Sequence, residues 1–206
     1  MKNKIVWLGH SSFRISNGKT IYIDPWQLKK SEPKADIILV THDHFDHLSV
    51  PDIQKIIKQG SVIITTASVK QHLTGDIRTV KPGDKLSLGD IDIHAVYAYN
   101  PSKPFHPKNA GNVGYIITMN GESIYHTGDT EFIEEMKSLK ADILLVPVGG
   151  NYTADADNAV KIVHAVNPKL AIPMHWGTLK DVAGREAAEQ FKKLAKTPVE
   201  ILSQEE

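Results

Sequence analysis

"KADIILV", residues 34–40, recurs almost unchanged as "KADILLV", residues 140–146. Each copy sets Lys-Ala-Asp before four apolar residues, the pattern of a short strand buried on both faces. The stretches before them also match: "FRISNGKTIYID" (13–24) precedes the first and "YIITMNGESIYHTGD" (115–129) the second. In both, alternating apolar residues flank an Asn-Gly pair, which signals a tight hairpin. A loop, a helix and a further strand follow each copy, "VIITT" (62–66) or "LAIPM" (170–174). The offsets are 103 residues from Asn17 to Asn120, 106 from Lys34 to Lys140 and 108 from Val62 to Leu170, so the halves stay in step. A period this long means two copies of one β-rich unit, not a solenoid. Each unit has an apolar sheet that must bury both faces, and two stacked sheets with helices outside achieve this. The expected fold is therefore an α+β four-layer αββα sandwich. It forms one domain over residues 1–206, with similar halves at about 1–105 and 106–206.

The remaining elements fit that plan. "KIVWLGH" (4–10) reads as a strand, and "KLSLGDIDIHAVYAY" (85–99) as a further hairpin turning at Gly89-Asp90. A helix is expected from Ser49, its cap, through about Gln59, with Gly60 as the stop. A short helix covers "SVKQHL" (68–73). Asp155 opens another that runs to about Val166, and "REAAEQFKKLA" (185–195) is an amphipathic last helix.

Composition narrows the function. Lys+Arg and Asp+Glu both number 24, which argues against a general nucleic-acid or anionic-membrane surface. There is no cysteine, so disulfides, thiolate metal sites and cysteine nucleophiles are excluded. The N-terminal apolar run, Ile5 to Leu8, is too short for a signal peptide, and no run approaches the about 18 apolar residues of a spanning helix. A soluble cytoplasmic protein is the expectation. Ten histidines are the oddity.

Those histidines gather where strands end, the place where ligands collect in α/β sheets. "THDHFDH" (41–47) leaves the first buried strand; "DPW" (24–26), "TGDTE" (127–131), "PVGGNYT" (147–153) and "MHWGT" (174–178) leave others. His42 and His44, two apart on extended chain, point to one side. Asp46 and His47 follow at the turn and can face back. Two neighbouring clusters of nitrogen and oxygen donors result. Asp129, as a bridging carboxylate, and His175 stand in the right loops to complete them. Imidazole suits zinc or iron, and carboxylate also admits manganese.

"THDHFDH" with "GDT" (128–130) and "PMHWG" (173–177) resembles the metallo-β-lactamase superfamily. "WLGHSSF", "IYIDPW", "GNYTADADNAV" and "PKLAIPMHWGT" resemble more narrowly its branch of ascorbate-6-phosphate lactonase-like and N-acyl-phosphatidylethanolamine phospholipase D-like hydrolases. The resemblance spans almost the whole chain and implies the same αββα sandwich. It implies two divalent metal ions, expected to be zinc, with manganese or iron also fitting. His42 and His44 match ligands of the first ion, Asp46, His47 and His175 ligands of the second, and Asp129 the bridge. Asp24 matches a buried aspartate that holds the ligand loop rather than a metal. For the third histidine of the first ion, Asn100 stands directly after the strand and His106 six residues on. We assign His106; His94, in mid-strand, is the competitor. His10 either lines the pocket and touches substrate or is a structural imidazole. His126 is either support for Asp129 or core packing. His72 and His164 fall on expected helices, away from the site.

Two such ions about 3.5–4 Å apart can share a water and lower its pKa to roughly 7, making the nucleophile. Asp46 then orients that water and shuttles a proton. Asp129 stands where some β-lactam-cleaving relatives use cysteine, so β-lactamase activity is disfavoured. The expectation is a binuclear hydrolase of an ester, lactone or phosphodiester. Its substrate would be a small molecule, and an anionic one if Lys103 and Lys108 meet it. A phosphodiesterase or nuclease of the same fold, and a metal-bearing binding module without catalysis, are the alternatives. No membrane partner is expected, and homo-oligomerisation is left open.

Overall fold

The computed structural model describes residues 3–29 and 31–205. Two six-stranded mixed sheets stack face to face. The first runs β1 (Lys4–Gly9), β2 (Ser12–Ser16), β3 (Thr20–Ile23), β4 (Ile37–Val40), β5 (Val62–Thr65) and β6 (Asp76–Thr79), in that spatial order. The second orders β12 (Leu170–Met174), β11 (Ile143–Pro147), β10 (Glu122–His126), β9 (Val113–Met119), β8 (Ile91–Tyr97) and β7 (Lys85–Leu88). In each, an antiparallel hairpin (β2–β3, β9–β10) leads into parallel strands (β4–β5, β11–β12). This is the expected αββα sandwich with two similar halves.

Alternation shows how one apolar run serves two layers. Ile37 and Leu39 of β4 face the core between the sheets, together with Ile21 and Ile23. Ile38 and Val40 face outward, with Tyr22 and Ile63, against Ile53 and Ile56 of α1 (Val50–Ile56) and Val69 of α2 (Ala67–Lys70). On the other side, α3 (Ala156–Val166) and α4 (Arg185–Leu194) bury Ala159, Ile162, Val163, Ala188 and Phe191 against the second sheet.

The repeated Lys-Ala-Asp has a structural reason. The Asp36 carboxylate accepts the Thr20 N–H (2.8 Å), and the Asp36 N–H donates to the Thr20 carbonyl (2.8 Å). In the second half Asp142 does the same with Ser123, at 2.8 and 3.0 Å. Each aspartate therefore clamps the start of a buried parallel strand to its neighbour, and each is salted by a lysine, Lys58 or Lys169.

Two expectations need correction, and one strand carries no sequence signal. The chain passes from the first sheet to the second between Thr79 and Lys85, ahead of the boundary expected near residue 105. The repeat aligns the hairpins, but β7 and β8 already belong to the second sheet. The strand β6 was not anticipated: "DIRT" is a half-exposed edge strand without an apolar pattern. The helix after Ser49 ends at Ile56, not about Gln59. Stopping there frees the Ile56 carbonyl to accept the Ala35 N–H (2.8 Å), tying the helix to the approach of β4.

Candidate metal centre

All the site loops leave the same rim of the stacked sheets. Four of the residues they carry, His10, Asp24, His106 and His175, have left-handed backbones with φ of 52°, 46°, 55° and 57°. Non-glycine residues adopt this conformation at a cost, and such strain concentrates at functional sites. Here it kinks the chain just after a strand at His10, Asp24 and His175, and within the long loop after β8 at His106.

The carboxylate of Asp129 is the centre of the arrangement. Its Oδ2 lies 3.1 Å from His175 Nε2, 3.2 Å from His47 Nε2, 3.4 Å from His106 Nε2 and 3.9 Å from His42 Nε2. His42, His47, His175 and Asp129 are almost wholly buried. Around that carboxylate the donors form two groups, each with its ligand atoms within 4.8 Å of one another: His42, His44 and His106, and His10, Asp46, His47 and His175. His42, His47 and Asp129 form a third overlapping set between them.

Outward hydrogen bonds aim the ring nitrogens. Asp24, fully buried, accepts the His47 Nδ1–H (2.7 Å), the Thr41 N–H (2.8 Å) and the Thr41 hydroxyl (2.8 Å). His42 Nδ1 lies 2.9 Å from Thr41 Oγ1. His106 Nδ1 lies 3.1 Å from the Tyr152 carbonyl. Each contact turns Nε2 inward, as partners behind metal-binding histidines do. His44 is reversed: its Nδ1 stands 3.1 Å from His42 Nε2 and 3.0 Å from His106 Nε2.

Part of the donor set is left without a hydrogen-bond partner, as a cation site requires. His47 Nε2, both nitrogens of His175 and Asp129 Oδ1 are buried without a hydrogen bond among the described residues. Buried polar atoms are rarely left so, and a set of imidazole and carboxylate donors without thiolate suits zinc, iron or manganese. Electrostatics agree. Burial alone would raise the Asp129 carboxyl, but His175 and His47 outweigh it and hold it well below its usual range. Burial would lower His47, but Asp129 and Asp24 hold it well above its usual value. His42 is pushed well down by burial and by His47.

His10 does not line the cleft. It is fully buried behind Asp46, with Nε2 2.9 Å from Asp46 Oδ2 and its ring 4.0 Å from that of His175. Burial lowers His10 to about 4, against the opposing effect of Asp46. Burial would raise Asp46, but its hydrogen bond with His10 and the nearby His47 together outweigh it and bring it to about 2. Of the two readings for His10, contact with substrate does not fit this burial; the ring stands behind Asp46 instead. His126 Nε2 lies 2.9 Å from the Ser11 carbonyl, and its Nδ1 accepts the Gly128 N–H (3.2 Å). It thus ties the Asp129 loop to the turn carrying His10. The alternative His94 lies in β8, paired with Lys85 and away from the cluster.

Lys103 and Lys108 are not at the centre. Lys103 donates to the Thr153 carbonyl, and Lys108 pairs with Glu135 (2.7 Å) over the rings of Tyr97 and Tyr99. Both ammonium groups already have partners, so the expected contact with an anionic substrate is not supported by their placement. Three supports escaped the sequence reading. Asn100 donates to the Phe105 and Tyr152 carbonyls, shaping the loop that delivers His106. Glu131 accepts the Ser102 N–H and hydroxyl on the same loop. Tyr115, from the second sheet, donates to the Val40 carbonyl (2.9 Å) directly below the ligand loop. Their partners are distant in sequence or are backbone carbonyls, which leave no sequence signal.

A family model described as the beta-lactamase superfamily domain matches residues 4–175. A UPF0173 metal-dependent hydrolase of Thermoplasma acidophilum is 36% identical over 210 residues, covering 94% of this chain and 91% of the relative. One from Archaeoglobus fulgidus is 34% identical over 215 residues, covering 94% and 90%. Among solved structures, a Parabacteroides distasonis protein described as a candidate metal-dependent hydrolase is 35% identical, covers 97% of this chain and 92% of its own, and superposes with a TM-score of 0.85. Igni18, a metallo hydrolase of Ignicoccus hospitalis, shares the fold at 23% identity, with 99% and 96% coverage and a TM-score of 0.82.

Proposed function

This chain belongs to the metallo-β-lactamase superfamily and is a metal-dependent hydrolase; on that premise we propose that it is binuclear and cleaves an ester, lactone or phosphodiester bond of a small molecule. The observation that carries the proposal is the position of Asp129. One buried carboxylate oxygen stands within 3.9 Å of four imidazole nitrogens drawn from both donor groups. A single cation would use only one of those groups; a pair of cations would use both, with Asp129 placed between them.

His42, His44 and His106 would hold one ion, and Asp46, His47 and His175 the other. When bound, the pair supplies Lewis acidity for the substrate oxygen and lowers the pKa of water to roughly 7. The chain's own residues do the rest. Asp46 faces the cleft with a carboxylate kept ionised by His10, so it can accept a proton and release it to the leaving group. Asp24, Thr41 and the Tyr152 carbonyl keep the ring nitrogens turned inward, so little reorganisation is needed during the reaction. Zinc is the expected metal, with manganese or iron also compatible with the donor set. No helix among the described residues is long and apolar enough to cross a membrane, and we place the enzyme in the cytoplasm.

The test is elemental analysis of protein purified without chelators, then turnover of ester, lactone and phosphodiester panels with each metal. His42→Ala and Asp129→Ala should lose metal and turnover together. Two tightly held ions in either variant would refute the assignment.

A further inference from the structure

The cleft above the donor cluster has a volume of about 520 Å³, within the usual range for small-molecule sites. His44, Asp46, His106, Asp129 and His175 lie in its lining. Its remaining lining is strongly apolar. Phe45, between two ligands in sequence, is 67% exposed, and Phe105, directly before His106, is 44% exposed. Tyr152 meets Phe105 edge to face, with ring centroids 4.8 Å apart. Leu179, on the loop after His175, joins them. Large aromatic side chains left this exposed beside a polar centre mark a binding surface. The charged groups outside the donor set are Lys180 and Asp181, one of each sign, so among the described residues the cleft wall has no net charge. Lys103 and Lys108 are absent from it.

Resting on the metal-dependent reading above, we propose that this wall selects substrates carrying an aryl or comparably bulky apolar group beside the scissile bond, in preference to phosphorylated ones. Three of these side chains are next to, or within a few residues of, a proposed ligand: Phe45 beside His44 and Asp46, Phe105 beside His106, Leu179 four after His175. A group held by them therefore lies against the centre. A phosphate arm in the same place would lose water and find a single lysine, itself next to an aspartate. The cost of desolvating a charge without a matched partner favours the apolar arm.

Hydroxamates separate the two readings because their metal-binding head is constant and only the arm varies. Calorimetric titration of the metal-loaded protein compares acetohydroxamate, benzohydroxamate and phosphonoacetohydroxamate. Benzohydroxamate should bind about tenfold or more tightly than acetohydroxamate and more tightly than the phosphono compound. Phe45→Ala and Leu179→Ala should each reduce that preference at full metal content. If Phe45→Ala loses metal, because it sits between two ligands, Leu179→Ala decides. Equal affinity for the methyl and phenyl arms, a preference for the phosphono arm, or a preference untouched by Leu179→Ala would overturn the proposal. Loss of binding by all three compounds would instead point to failure of the metal-centre reading, and the proposal would fall with it.

Discussion

Replacing Asp24 with Asn tests the argument that the ring nitrogens are aimed from behind. Asp24 touches no expected metal. It accepts three hydrogen bonds, from His47 Nδ1, the Thr41 N–H and the Thr41 hydroxyl, at 2.7–2.8 Å. Asparagine keeps the shape but replaces one acceptor oxygen with an NH₂ donor. If its oxygen stays on the Thr41 N–H, the amide nitrogen faces His47. His47 Nδ1 must then lose its proton or its partner. The neutral imidazole that accepts at Nδ1 carries its proton on Nε2, the atom 3.2 Å from Asp129 Oδ2, and a protonated nitrogen cannot ligate. Loss of a partner behind a metal-binding histidine typically costs about 10–100-fold in affinity, or about 1.4–2.8 kcal/mol. Competition against a chromophoric chelator, with both equivalents resolved, measures it. The ion at Asp46, His47 and His175 should weaken by that factor, and the ion at His42, His44 and His106 by less. Wild-type affinity for both equivalents in a correctly folded Asp24→Asn protein would refute the reasoning.

Other perturbations follow from the same packing. A Cβ on Gly149 would lie 2.0 Å from the His175 carbonyl oxygen and 2.4 Å from Val182 Cγ1. Gly149→Ala should therefore push His175 aside, destabilise the fold by about 1–3 kcal/mol and lower metal stoichiometry, read by thermal melting and elemental analysis. The Tyr125 hydroxyl is fully buried with no hydrogen-bond partner among the described residues. Tyr125→Phe should raise the melting temperature by about 2–4 °C, for a gain of about 1 kcal/mol; a fall would show an unseen partner. Lys169 and Ser123 lower the Asp142 carboxyl to about 2, below its unfolded value of about 3.9. A depressed folded-state pKa stabilises above the unfolded value and ceases to do so as pH falls through the folded one. Melting curves of the wild type should therefore drop between about pH 4 and 2 more than those of Asp142→Asn; parallel acid limbs would show that the clamp contributes nothing.

Much of this was readable in the chain. The two Lys-Ala-Asp strands with their hairpins carried the sandwich, because burial of a strand on both faces leaves a continuous apolar run and a repeat reveals its partner. "THDHFDH" marked the donors, because packing alone does not call for three histidines and two aspartates in seven residues. The edge strand β6 left no such trace: its residues face solvent, and its pairing with β5 is made by backbone groups that every sequence shares. His10 is a similar case. Its proximity to the site could be read, but its place behind Asp46 rather than in the cleft could not.

The sequence by itself determined the two-sheet architecture, the chemistry of the donors and most of their positions, since periodicity and residue type act locally. Tertiary structure alone decided that Asp129 sits amid four imidazoles, that His10 stands behind Asp46, and that Lys103 and Lys108 are engaged elsewhere. Those outcomes depend on where loops tens of residues apart converge in space. A left-handed turn at His106, or a carbonyl of Tyr152 behind its ring, has a direction only once both sheets have packed.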